Sequence, residues 1–309
     1  MHPIRYFLLM VAVMSLAVWC SCAISLETTN GLVHALPGEL PINYEARRFG
    51  LILLPVRIGD GEEMLFAMET GGPFTLLDRS LEPKLGKPLR RGKVQSVYGV
   101  LSGRYYPAPT LRLNNTPLQT GPKVMTTDLT RLSEDLSRIT HTNHRIMGLL
   151  GMDCLEHYCI QMDFTNREMR FLNPDHLQSE KLGKAFPLII LSGGVFVGEN
   201  LLGMKGQRTQ VDTGCTFDGE LKTKIFKRWT NRNVLVNGTT IQPVYPNGVF
   251  GGDTYPDLHV TGDGNRNTVG LRFLARHLVT FDFPGRLMYL KRTTTEPLAA
   301  NNNGRALAR

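Results

Sequence analysis

Two short runs in this 309-residue chain join a carboxylic acid to Thr-Gly: Glu69-Thr70-Gly71 and Asp212-Thr213-Gly214. A carboxyl group is an ordinary general acid or base, and two brought together can divide those roles. No other constellation offers as much. His141 and His144 stand three apart, but no third ligand accompanies them, and surface histidines on a loop account for them better than a metal site. Phosphate-binding, serine-hydrolase and dinucleotide signatures are absent. Neither a metal nor a cofactor is expected.

The acidic runs need elements to hold them, and the flanking sequence supplies the same frame twice. Before Glu69, an apolar strand over 51–58, a turn at Gly59-Asp60-Gly61 and a strand over 64–68 read as a hairpin. Before Asp212, a strand over 194–198 runs on to Leu201 and Leu202, Gly203 to Gly206 turn, and 207–211 is the second strand. A second part follows in each copy. Residues 146–155 lead into a strand over 157–164, a turn at Thr165-Asn166 and a strand over 168–172. Residues 268–274 lead into 277–283, a turn at Pro284-Gly285 and a strand over 287–290. Asp163-Phe164 and Asp282-Phe283 fall in equivalent places. Helical periodicity is confined to stretches near 129–138 and 222–229, while strand and turn signals dominate, with 31 Gly and 18 Pro. The sequence predicts a mainly β protein of two lobes, 42–175 and 185–293. A polar connector over 176–184 joins them, a polar leader covers 24–41, and a loose tail covers 294–309.

Composition limits the remaining options. Hydrophobic residues make up 42% and charged residues 20%, enough apolar material for a core in each half. The net charge of +8 is scattered, with no basic stripe interleaved with aromatics, so nucleic acid is not an expected partner. Arg5, an apolar run from Phe7 to about Cys20, and Ser21-Cys22-Ala23 read as a secretory signal peptide over 1–23. No later stretch is long enough to span a bilayer. Export to a periplasm or the cell exterior is expected. A lipid anchor on Cys22 is a secondary option that Trp19 disfavours. Beyond the leader, Cys154, Cys159 and Cys215 remain. Cys154 and Cys159 are close enough in sequence to pair, a matter for geometry; as single thiols, all three read as small buried hydrophobes. Asn114-Asn115-Thr116 and Asn237-Gly238-Thr239 match the N-glycosylation pattern.

With its acid-Thr-Gly runs in a two-part repeat, the chain resembles the aspartic peptidase superfamily, and within it bacterial retropepsin-like domains fused in one chain. The resemblance covers most of residues 42–293. It implies a bilobal acid-protease fold with a pseudo-two-fold axis and a water held between Glu69 and Asp212. Like charges that close cannot both be ionised, so the pair shares one proton. The ionised member takes a proton from the water as it attacks a peptide carbonyl, and the protonated member supplies one to the oxygen or leaving amine. Thr70, Gly71, Thr213 and Gly214 would support the pair. Leu149-Leu150-Gly151 and Thr268-Val269-Gly270 would lie beneath the loops, and Tyr98-Gly99, within a hairpin predicted over 95–103, would form a flap. An ordinary strand carrying a surface Tyr remains the plainer reading of that hairpin. The substrate implied is a peptide or protein.

Glu69 departs from the family, which has Asp there. One extra methylene matters where placement to within an ångström sets the rate. Two outcomes follow: an atypical but working pair, or a peptide-binding or partner-binding homologue without turnover. Coincidental tripeptides in an unrelated exported β protein are a third reading. Cys215, beside Asp212, reads as packing, since a neighbouring carboxylate suppresses thiolate.

Overall fold

The computed structural model describes residues 35–48, 50–191, 194–230, 247–262 and 266–293. The predicted signal peptide and Cys22, the tail over 294–309 and the Asn237 sequon lie outside them, as does most of the 24–41 leader.

The first half contains strands β1 (Glu39–Pro41), β2 (Leu53–Ile58), β3 (Met64–Met68), β4 (Leu76–Asp78), β5 (Arg90–Ser96), β6 (Gly99–Pro107), β7 (Leu111–Leu113), β8 (Thr116–Pro117) and β9 (Lys123–Thr127). Helix α1 (Thr130–Thr140), β10 (Ile146–Leu150), the short helix α2 (Met152–Leu155), β11 (Cys159–Asp163) and β12 (Glu168–Leu172) complete it. The second half contains β13 (Lys184–Pro187), β14 (Ile189–Leu191), β15 (Gly194–Glu199), β16 (Lys205–Asp212), β17 (Gly219–Glu220) and helix α3 (Thr223–Thr230). It continues through β18 (Gly248–Phe250), β19 (Asp253–Tyr255), β20 (Val260–Thr261), β21 (Asn267–Gly270), helix α4 (Leu271–Leu274), β22 (His277–Asp282) and β23 (Leu287–Arg292). The protein is mainly β, as the sequence predicts.

The same run of pairings occurs twice. In a nine-stranded sheet the order β2-β3-β10-β4-β9 appears, and in a six-stranded sheet the order β15-β16-β21-β17-β20. In both, a hairpin (β2–β3; β15–β16) is followed by a parallel partner (β10; β21). An antiparallel strand (β4; β17) comes next, and a strand parallel to that one (β9; β20) closes the run. Parallel neighbours of this kind need a long return connection; here β4 to β9 and β17 to β20 supply it.

A third sheet, ordered β1-β12-β11-β22-β23-β13, joins the halves. Its centre is the antiparallel pair β11–β22, in register at Gln161 and Thr280, whose side chains hydrogen-bond at 3.0 Å. The Asp-Phe repeats end the two hairpins of this sheet. Asp163 Oδ1 accepts from Thr165 N and Asn166 N at 2.9 Å, and Asp282 Oδ1 from Gly285 N at 2.9 Å. An aspartate before a tight turn satisfies its backbone donors in this way, while Phe164 and Phe283 enter the core. One apolar core runs through both halves, from Phe66, Leu77 and Ile160 to Val211, Val269 and Phe281.

The leader predicted over 24–41 differs at its end: Glu39–Pro41 is β1, paired with β12. Its single apolar side chain, Leu40, is buried between exposed Glu39 and Pro41, so three residues sufficed for an edge strand. The connector predicted over 176–184 turns through a short 3-10 segment at Ser179–Lys181 and enters β13 at Lys184. The predicted helices near 129–138 and 222–229 are α1 and α3.

Candidate active site

Each acid stands at the C-terminal end of the second hairpin strand, where the parallel neighbour continues into a glycine. Glu69 N donates to Leu150 O at 2.9 Å, and Asp212 is in register with Gly270. The first N–H of each following short helix then fastens the acidic loop. Met152 N donates to Gly72 O at 2.9 Å, and Leu271 N to Cys215 O at 2.7 Å. Gly72 and Cys215 are therefore equivalent positions.

The two loops are tied to each other by their threonines. Thr70 N donates to Thr213 Oγ1 at 3.1 Å, and Thr213 N to Thr70 Oγ1 at 3.0 Å. Each hydroxyl then donates across to the other half: Thr70 Oγ1 to Val211 O at 2.8 Å, Thr213 Oγ1 to Met68 O at 2.7 Å. Both threonines are fully buried. A hydroxyl is needed because it alone of the small side chains accepts one bond and donates another. Four backbone groups that would otherwise be buried unpaired are satisfied.

This exchange sets the carboxyl groups of Glu69 and Asp212 within hydrogen-bonding contact. Glu69 Oε1 accepts from Gly71 N at 2.9 Å, as Asp212 Oδ1 accepts from Gly214 N at 2.8 Å and Cys215 N at 3.2 Å. The glycines make the approach possible. A β-carbon on Gly71 would lie 2.5 Å from Asp212 Oδ2, and one on Gly214 2.8 Å from Glu69 Cδ. Burial, and secondarily the negative charge of Asp212, hold the Glu69 carboxyl well above the usual carboxylate range. Glu69 Oε1 meets one backbone N–H, whereas Asp212 Oδ1 meets two.

The extra methylene of Glu69 has a visible place. A β-carbon on Gly72 would lie 2.9 Å from Glu69 Cγ. The longer side chain therefore passes through the space that the residue-72 side chain would fill, and its carboxyl returns to the Gly71 N–H. In the other loop the equivalent residue, Cys215, has a side chain, and the acid is the shorter Asp.

Supporting groups that the motif reading missed lie six residues beyond each acid. Thr75 Oγ1 donates to Asp153 Oδ1 at 2.8 Å, under the first loop. Under the second, fully buried Asp218 meets Arg276 Nε at 3.0 Å and Arg272 Nε at 3.3 Å and accepts from His259 N at 2.7 Å. Burial pushes the Asp218 carboxyl up, against the pull of both arginines. Thr75 matches Asp218, and Asp153 matches Arg272, two residues beyond Gly151 and Gly270. Comparing the two copies position by position would have found them, although the residue types differ.

The predicted flap is a longer hairpin than 95–103: β5 and β6 pair from Arg90–Tyr105 to Ser96–Gly99 at the edge of the nine-stranded sheet. Gly99, at φ 95°, closes its turn. Tyr98 at the tip rests on α1, with the Arg131 guanidinium 4.7 Å from its ring centre, and burial, with Asp135 nearby, pushes its phenol up. A cleft of about 320 Å³ lies there, lined by Tyr98, Leu101, Asp128, Thr130, Arg131 and Glu134 and by no residue of the acidic loops.

His141 ends α1 in the left-handed conformation; among the described residues no three His, Cys, Asp or Glu are grouped to hold a metal ion. Cys154 and Cys159 do not pair; both are buried free thiols, and Cys215 is a half-buried free thiol. Burial, then Glu220 and Asp212, push the Cys215 thiol up, which leaves it inert. No described helix is long and apolar enough to cross a membrane. No protein-family profile and no curated protein sequence matches this chain.

Proposed function

We propose that this chain is an exported aspartic-type endopeptidase of the bilobal acid-protease fold, with Glu69 and Asp212 as its catalytic carboxyls. The observation that carries the proposal is the reciprocal Thr70–Thr213 bonding that brings two acids from equivalent loops into contact. The doubled strand order and the joining sheet support the fold; the signal peptide read from the sequence over 1–23 is the basis for export.

In the proposed reaction a water bound at the pair gives a proton to the Asp212 carboxylate as its oxygen attacks the peptide carbonyl carbon. Glu69 gives its proton to the carbonyl oxygen, forming a tetrahedral diol. Asp212 then gives its proton to the amine nitrogen as the C–N bond breaks, and a hydroxyl of the diol returns its proton to Glu69 as the new carboxyl group forms, so the pair again holds one proton. A binding protein without turnover is the competing reading. Its motive is the added length of Glu69, and the space at Gly72 takes up that length. The test is hydrolysis of an unfolded protein between pH 3 and 7. Asp212→Asn is expected to lose at least about 100-fold in rate while keeping its thermal transition. Hydrolysis undiminished in that variant defeats the proposal.

A further inference from the structure

The strand that ends in Asp212 carries a second set of groups on the same face. Side chains alternate along a strand, so Arg208, Gln210 and Asp212 share one face of β16, while Thr209 and Val211 enter the core. In the parallel pair, Gln210 is in register with Thr268, which brings Arg266, two residues earlier, level with Arg208. Gln210 is buried and bridges two directions: its Nε2 donates to Gly71 O at 2.8 Å, and its Oε1 accepts from Arg266 Nη1 at 2.6 Å. Arg266 is thus an exposed cation held two hydrogen bonds from the Glu69 loop. Its charge is felt at Glu69, where it opposes the rise in proton affinity. The Arg208 guanidinium lies 5.9 Å from the ring centre of Phe196, the residue opposite Gln210.

Neither arginine pairs with a carboxylate among the described residues, although Arg57, Arg104, Arg138 and Arg170 all do. At level positions on neighbouring strands, two like charges disfavour each other, and an anion held between them relieves that. Arg208 stands four residues from Asp212, or about 13 Å along a strand, the reach of about four residues of an extended peptide.

We infer that Arg208 and Arg266 form a subsite for an acidic side chain, so that the substrates are peptides with Asp or Glu within about four residues of the cleaved bond. The inference rests on the peptidase reading for the cleaved bond but not for the binding. Guanidinium groups suit a carboxylate because their forked N–H donors match its two oxygens. The preference should weaken with salt and vanish near pH 3, where the peptide carboxyl is protonated.

The experiment compares matched peptides carrying Glu, Gln or Lys at each of four positions on both sides of a cleaved bond, for wild type, Arg266→Gln, Arg208→Gln and the double charge reversal R208E/R266E. Wild type is expected to favour Glu about fivefold at one position, mainly through KM. Each single variant should lose most of that, and the reversal should favour Lys over Glu. Equal rates for Glu and Gln in wild type, or a Glu preference that survives the reversal, overturns the inference. If wild type cleaves nothing, the peptidase reading fails by itself. Fluorescence anisotropy with labelled Glu and Gln peptides then decides the subsite: tighter Glu binding abolished by R208E/R266E supports it, and equal binding overturns it.

Discussion

Gly72→Ala tests whether the site is built around a glutamate. The added β-carbon would lie 2.9 Å from Glu69 Cγ, against the roughly 3.5–4.0 Å of a relaxed carbon contact. Either the loop or the Glu69 side chain must give by about 0.6–1 Å. The loop is held by Met152 N–H on Gly72 O and by the Thr70 bonds, so the side chain is the part that moves. Overpacking of this size costs about 1–3 kcal/mol, and a carboxyl displaced by about 1 Å costs on the order of 100-fold in rate. The second loop shows what relieves the clash: beside Asp212, Cys215 has a β-carbon and still donates its N–H to Asp212 Oδ1 at 3.2 Å. Gly72→Ala should therefore cost under about 0.5 kcal/mol and about threefold in rate when made in Glu69→Asp, a coupling of at least about 0.5 kcal/mol in stability and roughly 30-fold in rate. Urea denaturation midpoints and hydrolysis of an unfolded protein, measured on the four corners of the cycle, give both numbers. Equal costs of Gly72→Ala in the two backgrounds, large or small, would refute the reasoning.

Three further outcomes are expected. Thr213→Val keeps the shape but leaves Thr70 N–H and Met68 C=O buried without partners. At about 1–3 kcal/mol each, the loss is roughly 2–6 kcal/mol, whereas Thr213→Ser stays within about 1 kcal/mol; urea denaturation that shows both equally destabilised contradicts the role of the hydroxyl. For Glu69, whose proton affinity is raised by burial and by Asp212, the folded chain holds a proton that the unfolded chain releases above about pH 4.5. Stability therefore falls as pH rises from there toward the raised value. Thermal melts of Glu69→Gln against wild type from pH 4 to 8 should diverge with rising pH, and parallel curves would show that Glu69 bears no such load. His277 works in the opposite direction: burial lowers it to about 4, with its ring between Phe273 O at 3.1 Å and Tyr255 Oη at 2.9 Å. Its contribution is whole above about pH 6.5 and is lost as pH falls toward 4, by up to about 3 kcal/mol. His277→Gln should flatten the stability slope over that window in urea titrations, and an unchanged slope would count against it.

What the sequence made legible follows from what repeats in residue type. Strands β3 and β12 match their predicted bounds, because a continuous apolar run in β3 and an alternating one in β12 are bracketed by turn residues. Asp163 and Asp282 were readable for the same reason: both copies need an acceptor at the same turn. The polar stretches were harder. β1 rests on one buried residue, Leu40, and β5, an edge strand, extends beyond the expected hairpin through Arg90 and Arg91, where nothing apolar marks it. Position 75 against 218 and position 153 against 272 do the same work with different chemistry, a hydroxyl–carboxylate bond in one half and a buried ion pair in the other, so no motif links them. The pair at 69 and 72 belongs to this second kind. The carboxyls must meet at one point set by the Thr70–Thr213 exchange, whatever the length of the arm that carries them. A longer arm then needs a shorter neighbour, and Glu with Gly in one loop against Asp with Cys in the other satisfies the same condition twice. Glu69 is thus better read jointly with Gly72 than alone: the acid is longer by a methylene where the residue three places on has no β-carbon.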